Sequence, residues 1–82
     1  MANAPDIPAL MALVAKALVD APEEVSVEAF DEDGQIVLEL QVAENEVGKI
    51  IGRQGRMARS LRTILGAAGS KTGKRYQLEI VE

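Results

Sequence analysis

The spacing of apolar residues changes period three times along this 82-residue chain, and that order leaves few folds open. Ile7, Leu10, Leu13, Val14, Ala17 and Leu18 recur at helical spacing. Asp6 stands before them as a side-chain cap, and Pro8 lies where a missing N–H costs little. Pro22 is expected to stop this helix. The period then falls to two: Val25, Val27 and Ala29 alternate with Ser26, Glu28 and Phe30, and Ile36, Leu38, Leu40 and Val42 alternate with Val37, Glu39 and Gln41. Between these runs Asp33–Gly34 is a strong hairpin signal.

Helical spacing returns from Asn45 through Val47, Ile50 and Ile51 to Gly52. After Gly55 it resumes with Met57, Ala58, Leu61, Ile64, Leu65 and Ala68 on one side of a wheel, and Arg56, Arg59 and Arg62 on the other. The stretch "GSKTGKR" reads as a polar loop, and Tyr76, Leu78 and Ile80 alternate in a last strand. The order α-β-β-α-α-β predicts an α+β domain, a three-stranded mixed sheet with helices on one face and the other face open. Residues 1–6 are expected to be an N-terminal tail and residues 7–82 one domain.

Composition narrows function by what is missing. With no Cys and no His, thiolate metal sites, disulfides and the commonest general base are all absent, so no metal or cofactor is expected. "GAAGSKTGKR" fails the phosphate-binding P-loop spacing and follows a helix where that motif follows a strand. The carboxylates fall on a hairpin and at helix ends without a pocket, so no catalysis and no small-molecule substrate are expected. The start "MANAPDIPAL" lacks a secretory pattern, and no apolar run nears the roughly 20 residues of a membrane span. A cytoplasmic protein without a membrane partner is the expectation.

Net charge is −4, yet the charges are segregated. Residues 1–46 hold eleven Asp or Glu and only Lys16, and residues 47–82 hold eight Lys or Arg against Glu79 and Glu82. Such asymmetry makes a dipolar surface with one face suited to a polyanion.

Within the basic half, "VGKIIGRQGRMARSLRTIL" breaks its helical pattern with two glycines. A G-x-x-G pair alone is weak, since Gly66 and Gly69 form a second one that reads as a helix C-cap. The first pair joins two helices, carries Arg53 and Gln54 between its glycines, and opens onto a helix with arginines in its first turns. Glycine lets a backbone approach a sugar-phosphate chain closely, and free N–H groups at the next helix start favour an anion. Arg53, Arg56 and Arg59 add charge-assisted bonds, with Gln54 as a neutral donor.

"IIGRQG" followed by an amphipathic helix resembles the KH domain, whose G-x-x-G loop clamps about four nucleotides of single-stranded RNA or DNA. The element order resembles the type II arrangement, and a KH domain with nothing appended resembles the small bacterial KhpA family. The resemblance covers residues 7–82 and implies non-catalytic binding of single-stranded RNA. It further implies a chaperone-like or post-transcriptional regulator linked to cell shape, acting as a homodimer or with a larger KH-containing protein. By position Gly52, Arg53, Gln54 and Gly55 match the clamp loop, Ile50 and Ile51 lead into it, and Lys49, Arg56 and Arg59 add charge. Met57 and Ala58 match an apolar floor for bases, with core packing favoured for Met57, and Ile36, Leu38 and Leu40 match the strand beside the groove. Two aromatics in all, Phe30 and Tyr76, argue against a stacking platform. A pI near 4.8 is low for such a binder, and the acidic "FDEDG" hairpin is expected at the far edge. The alternative is a protein-interaction adaptor pairing through Leu61, Leu65 and Ala68, or through Val37 and Phe30 on the open sheet face.

Overall fold

The computed structural model describes residues 6–82. Helix α1 (Ile7–Leu18) begins at Asp6, whose side chain accepts the Ala9 N–H at 3.1 Å. The expected tail falls outside the described residues apart from this cap. Strands β1 (Ser26–Glu32) and β2 (Gln35–Gln41) pair antiparallel with Glu32 opposite Gln35. Asp33 and Gly34 alone make the turn, both at positive φ, 54° and 80°, which the right-handed twist of a two-residue hairpin favours. Helices α2 (Val47–Ile51) and α3 (Arg56–Thr72) carry the chain back so that β3 (Arg75–Ile80) lies parallel to β2. The sheet order is β1-β2-β3, so β1 and β3 are its two edges. Order and topology match the α-β-β-α-α-β expectation.

The core lies between one sheet face and the helices. Ile7, Met11 and Ala15 of α1 and Leu61 and Leu65 of α3 meet Leu38, Leu40 and Leu78 of the sheet, with Ile50 of α2 between them. Each such aliphatic side chain contributes about 1.5–3 kcal/mol on burial.

Several local expectations are corrected. The buried ridge of α1 runs through Ile7, Met11, Ala15 and Val19, while Leu10 and Leu13 are exposed. An i, i+4 ridge and an i, i+3 ridge both satisfy a helical period, and only the tilt of α1 against the sheet chooses between them. The helix also ends at Leu18, and Pro22 starts a separate 3-10 turn instead of stopping it. Ile64 is 50% exposed on the outer side of α3.

The second glycine pair is no C-cap. Both glycines lie inside α3, which runs on to Thr72 and is capped by Gly73 in the left-handed region at φ 74°, with the Gly73 N–H donating to the Gly69 carbonyl. The "GSKTGKR" loop thereby shrinks to its Gly73–Lys74 turn. Gly69 is required there for a different reason: a Cβ would collide with the Lys74 carbonyl oxygen and press on the Tyr76 ring. The paired surface offered for an adaptor also changes, since Leu61 and Leu65 belong to the core and Val37 is buried.

Candidate nucleic-acid interface

The segment from Val47 to Arg62 makes one continuous bend. Helix α2 ends when Gly52 takes φ 76° and ψ 173°, its N–H donating to the Gly48 carbonyl at 2.8 Å. A 3-10 turn over Arg53–Gly55 follows, with Gln54 at φ 57° and Gly55 at φ 73°, and α3 starts at once. The two glycines do different work. At Gly52 an added Cβ would stand 2.7 Å from the Met57 Cβ and 2.9 Å from the Met57 nitrogen, so the first turn of α3 packs directly on its backbone. At Gly55 an added Cβ meets nothing within 4 Å. Gly52 holds the bend shut, and Gly55 leaves its outer side bare.

The bend is a surface feature. Arg53 and Gln54 are exposed and both glycines half-exposed. Its amides are partly engaged, because Gly55 donates to the Gly52 carbonyl at 3.1 Å and Arg56 to that of Arg53. The 3-10 turn therefore uses N–H groups that an abrupt helix start would leave free. Among the turn and cap bonds of the described residues, the Arg53 and Gln54 amides have no acceptor. The positive charge at this bend thus comes more from arginine side chains than from the helix terminus. The Arg56 guanidinium donates to Gln54 Oε1 at 3.3 Å and that of Arg59 to the Gln54 carbonyl at 3.5 Å, which gathers both cations beside the loop.

Beside the bend runs an open cleft of about 340 Å³. Ile51 of α2, Gly55 of the bend and Ala58, Arg59 and Arg62 of α3 line it together with Ile80 of β3 and Glu82 beyond that strand. Ala58 lines this cleft, while Met57 packs against the core. The strand beside the cleft is β3, whereas Ile36, Leu38 and Leu40 lie on the central strand beneath the helices. The reason is topological: the strand after α3 becomes the edge nearest to it. The acidic hairpin strand β1 is the opposite edge, as expected.

Lys49 does not join this set. Its ammonium lies 2.6 Å from Asp20 and 3.1 Å from Glu46, so nearby carboxylates already neutralise it. The hydrogen bond it donates to Asp20, then that to Glu46, raises its pKa above the usual 10.5. Glu46 is the residue that sequence reasoning missed. It is 4% exposed, and its carboxylate accepts the backbone N–H groups of Asp20 and Ala21. Those bonds, led by the one from Asp20, hold its pKa below the usual 4.5. The contact ties the segment after α1 to the start of α2 and so fixes the helix that delivers the bend. The Glu46–Lys49 spacing was legible, but amides more than 20 residues away left no sequence signal.

The comparisons with known proteins fit this geometry. The family described as "KhpA/KhpB, KH domain" matches residues 9–80. A protein of Aquifex aeolicus named RNA-binding protein KhpA is 51% identical over 73 residues, covering 89% of this chain and 92% of its own. Proteins of the same name from Treponema pallidum and Borreliella burgdorferi are 48% and 47% identical, over 89% of this chain and 91% and 89% of theirs. These are names of binding proteins rather than enzymes, in line with the expected lack of catalysis. A domain-wide family match, identities near one half and a bare G-x-x-G bend between α2 and α3 agree: the chain belongs to the KhpA/KhpB KH-domain family.

Proposed function

We propose that this protein binds single-stranded RNA without catalysis, gripping the sugar-phosphate chain at Gly52–Gly55 and seating bases in the cleft between α3 and β3. The observation that carries this reading is the open space at Gly55 beside the Arg56 and Arg59 cations. A strand passing there meets backbone first, then charge. Ile51, Ala58 and Ile80 offer aliphatic contact to bases, and the names of the relatives support RNA as the ligand. Contacts come from Gly52, Arg53, Gln54, Gly55, Arg56, Arg59 and Ile51, with Lys49 acting at a distance by keeping α2 in place.

A grip this small is weak alone. Self-association, or pairing with a larger KH-containing protein, would raise it by avidity and suits a chaperone-like or post-transcriptional role in the cytoplasm. Among the described residues no helix is long and apolar enough to cross a membrane.

The test is the double variant Arg53→Asp with Gln54→Asp. Both positions are exposed, and Asp tolerates the positive φ of Gln54. Fluorescence anisotropy with short unstructured RNA should show binding lost while thermal melting stays within a few degrees. Undiminished binding would overturn the reading.

A further inference from the structure

A second cleft, of about 410 Å³, opens at the other end of α3, between Gly66 and Ser70 of the helix and Lys74, Arg75 and Tyr76 entering β3, with Gln35 at its edge. The two clefts share one seam. The first lies between the early turns of α3 and the end of β3, the second between the late turns of α3 and the start of β3. Arg59 and Ser70 are eleven residues apart, about 16 Å along a helix. β3 covers a similar length, and its outer edge is unpaired. Arg59 and Arg62 line the first cleft and Lys74 and Arg75 the second, so cations stand at both ends of the seam.

Two features of the second cleft have no structural purpose. Gly66 sits inside a helix, where glycine costs about 1 kcal/mol relative to alanine, yet a Cβ there meets nothing within 4 Å. It leaves the wall flat, as Gly55 does at the first cleft, whereas Gly52 and Gly69 are demanded by packing. Lys74 and Arg75 are exposed, and among the described residues neither is in an ion pair. Of the hairpin acids, Asp33 lies in the turn two residues before Gln35, and Glu32 faces Gln35 two strands from Arg75.

We infer that this second cleft is a further RNA phosphate subsite, and that the strand held at the G-x-x-G bend continues along the α3–β3 seam to Lys74 and Arg75. This rests on the RNA reading above and sets the length of its ligand. At about 3.4 Å per stacked nucleotide, 16 Å adds roughly five nucleotides to the four of the clamp. The preferred ligand is a single strand of about nine.

The experiment compares four- and nine-nucleotide RNAs of one unstructured sequence on the intact protein. Lys74→Ala with Arg75→Ala should weaken the nine-mer roughly ten- to thirtyfold at 0.1 M salt and lower its log–log salt slope by about 1.4, the value for two phosphates on a single strand. The four-mer should be unchanged. Gly66→Leu should narrow the cleft and weaken the nine-mer while melting no lower than the parent, so misfolding does not explain the loss. Equal weakening of both lengths, or a nine-mer untouched by all three substitutions, would overturn the subsite. If the parent protein binds neither length, it is the RNA reading itself that fails.

Discussion

Alanine placed at each glycine of the bend should give two different proteins. Gly52 lies at φ 76° and ψ 173°, a region almost closed to residues with a Cβ, which costs about 1–3 kcal/mol to occupy. Its new methyl would also stand 2.7 Å from the Met57 Cβ and 2.9 Å from the Met57 nitrogen. Neither atom is the tip of a flexible side chain, so relief requires moving the first turn of α3, an overpacking cost of about 1–3 kcal/mol. The sum is about 4 kcal/mol. A domain of this size holds roughly 4–12 kcal/mol in all. Gly52→Ala therefore forfeits a third of the stability or more, a fall of some 15–30 °C in Tm. Gly55→Ala meets only the left-handed φ of 73° with open space around it, about 1 kcal/mol and roughly 4–8 °C. Because Gly55 lines the cleft, its variant should nonetheless lose RNA affinity in the folded state. Urea and thermal melts followed by circular dichroism, with anisotropy on the folded fraction, read all of these quantities. Equal destabilisation at the two positions would refute the division of labour between the glycines.

Stability should fall in acid through Glu46. Its carboxylate is favoured in the folded state, so its contribution is present above the ordinary 4.5 and lost as pH drops through the lower folded value; Glu46→Gln should flatten that limb of the stability curve measured by urea melts from pH 3 to 7. Lys49, with its raised pKa, contributes below the ordinary 10.5 and loses its effect only in strong alkali, outside that window. At the cleft, Glu82→Gln should tighten RNA by about threefold in low salt, the Coulomb gain of removing one charge about 7 Å from a phosphate in water. Anisotropy titrations of the two proteins compare these affinities directly, and an unchanged affinity would place Glu82 away from the bound strand.

How much of this was legible in the sequence depended on whether the signal was local. The hairpin turn at Asp33–Gly34, the Asp6 cap and the bend at Gly52–Gly55 each follow from residues within four positions of one another. What failed required a distant neighbour. Gly69 resembles a cap until the Lys74 carbonyl is seen against it, and Glu46 is one more acid until the amides of Asp20 and Ala21 surround it. The side of α1 that is buried depends on a helix tilt that periodicity does not encode. The lining of the cleft was half legible: Ala58 follows from its place after the bend, whereas Ile80 required knowing that β3, not β2, is the edge strand.

The same strand order leaves a basic surface on a chain of pI near 4.8. Strands lie about 4.8 Å apart, so the acids of β1 stand nearly 10 Å from β3 across the sheet, and farther from the cleft on the side of α3. The Debye length is about 8 Å at physiological ionic strength, so the acidic edge is largely screened from a strand in that cleft while the arginines beside it are not. Screening reverses in dilute salt, where its length grows to about 30 Å at 0.01 M and the whole net charge is felt. Counterion release makes RNA affinity rise as salt falls, but long-range repulsion from the β1 edge opposes that rise most strongly at the dilute end. RNA titrations across salt should therefore show a steep dependence near physiological strength and a shallower one below it, and a straight log–log line down to 0.01 M would refute this balance between local cations and remote acids.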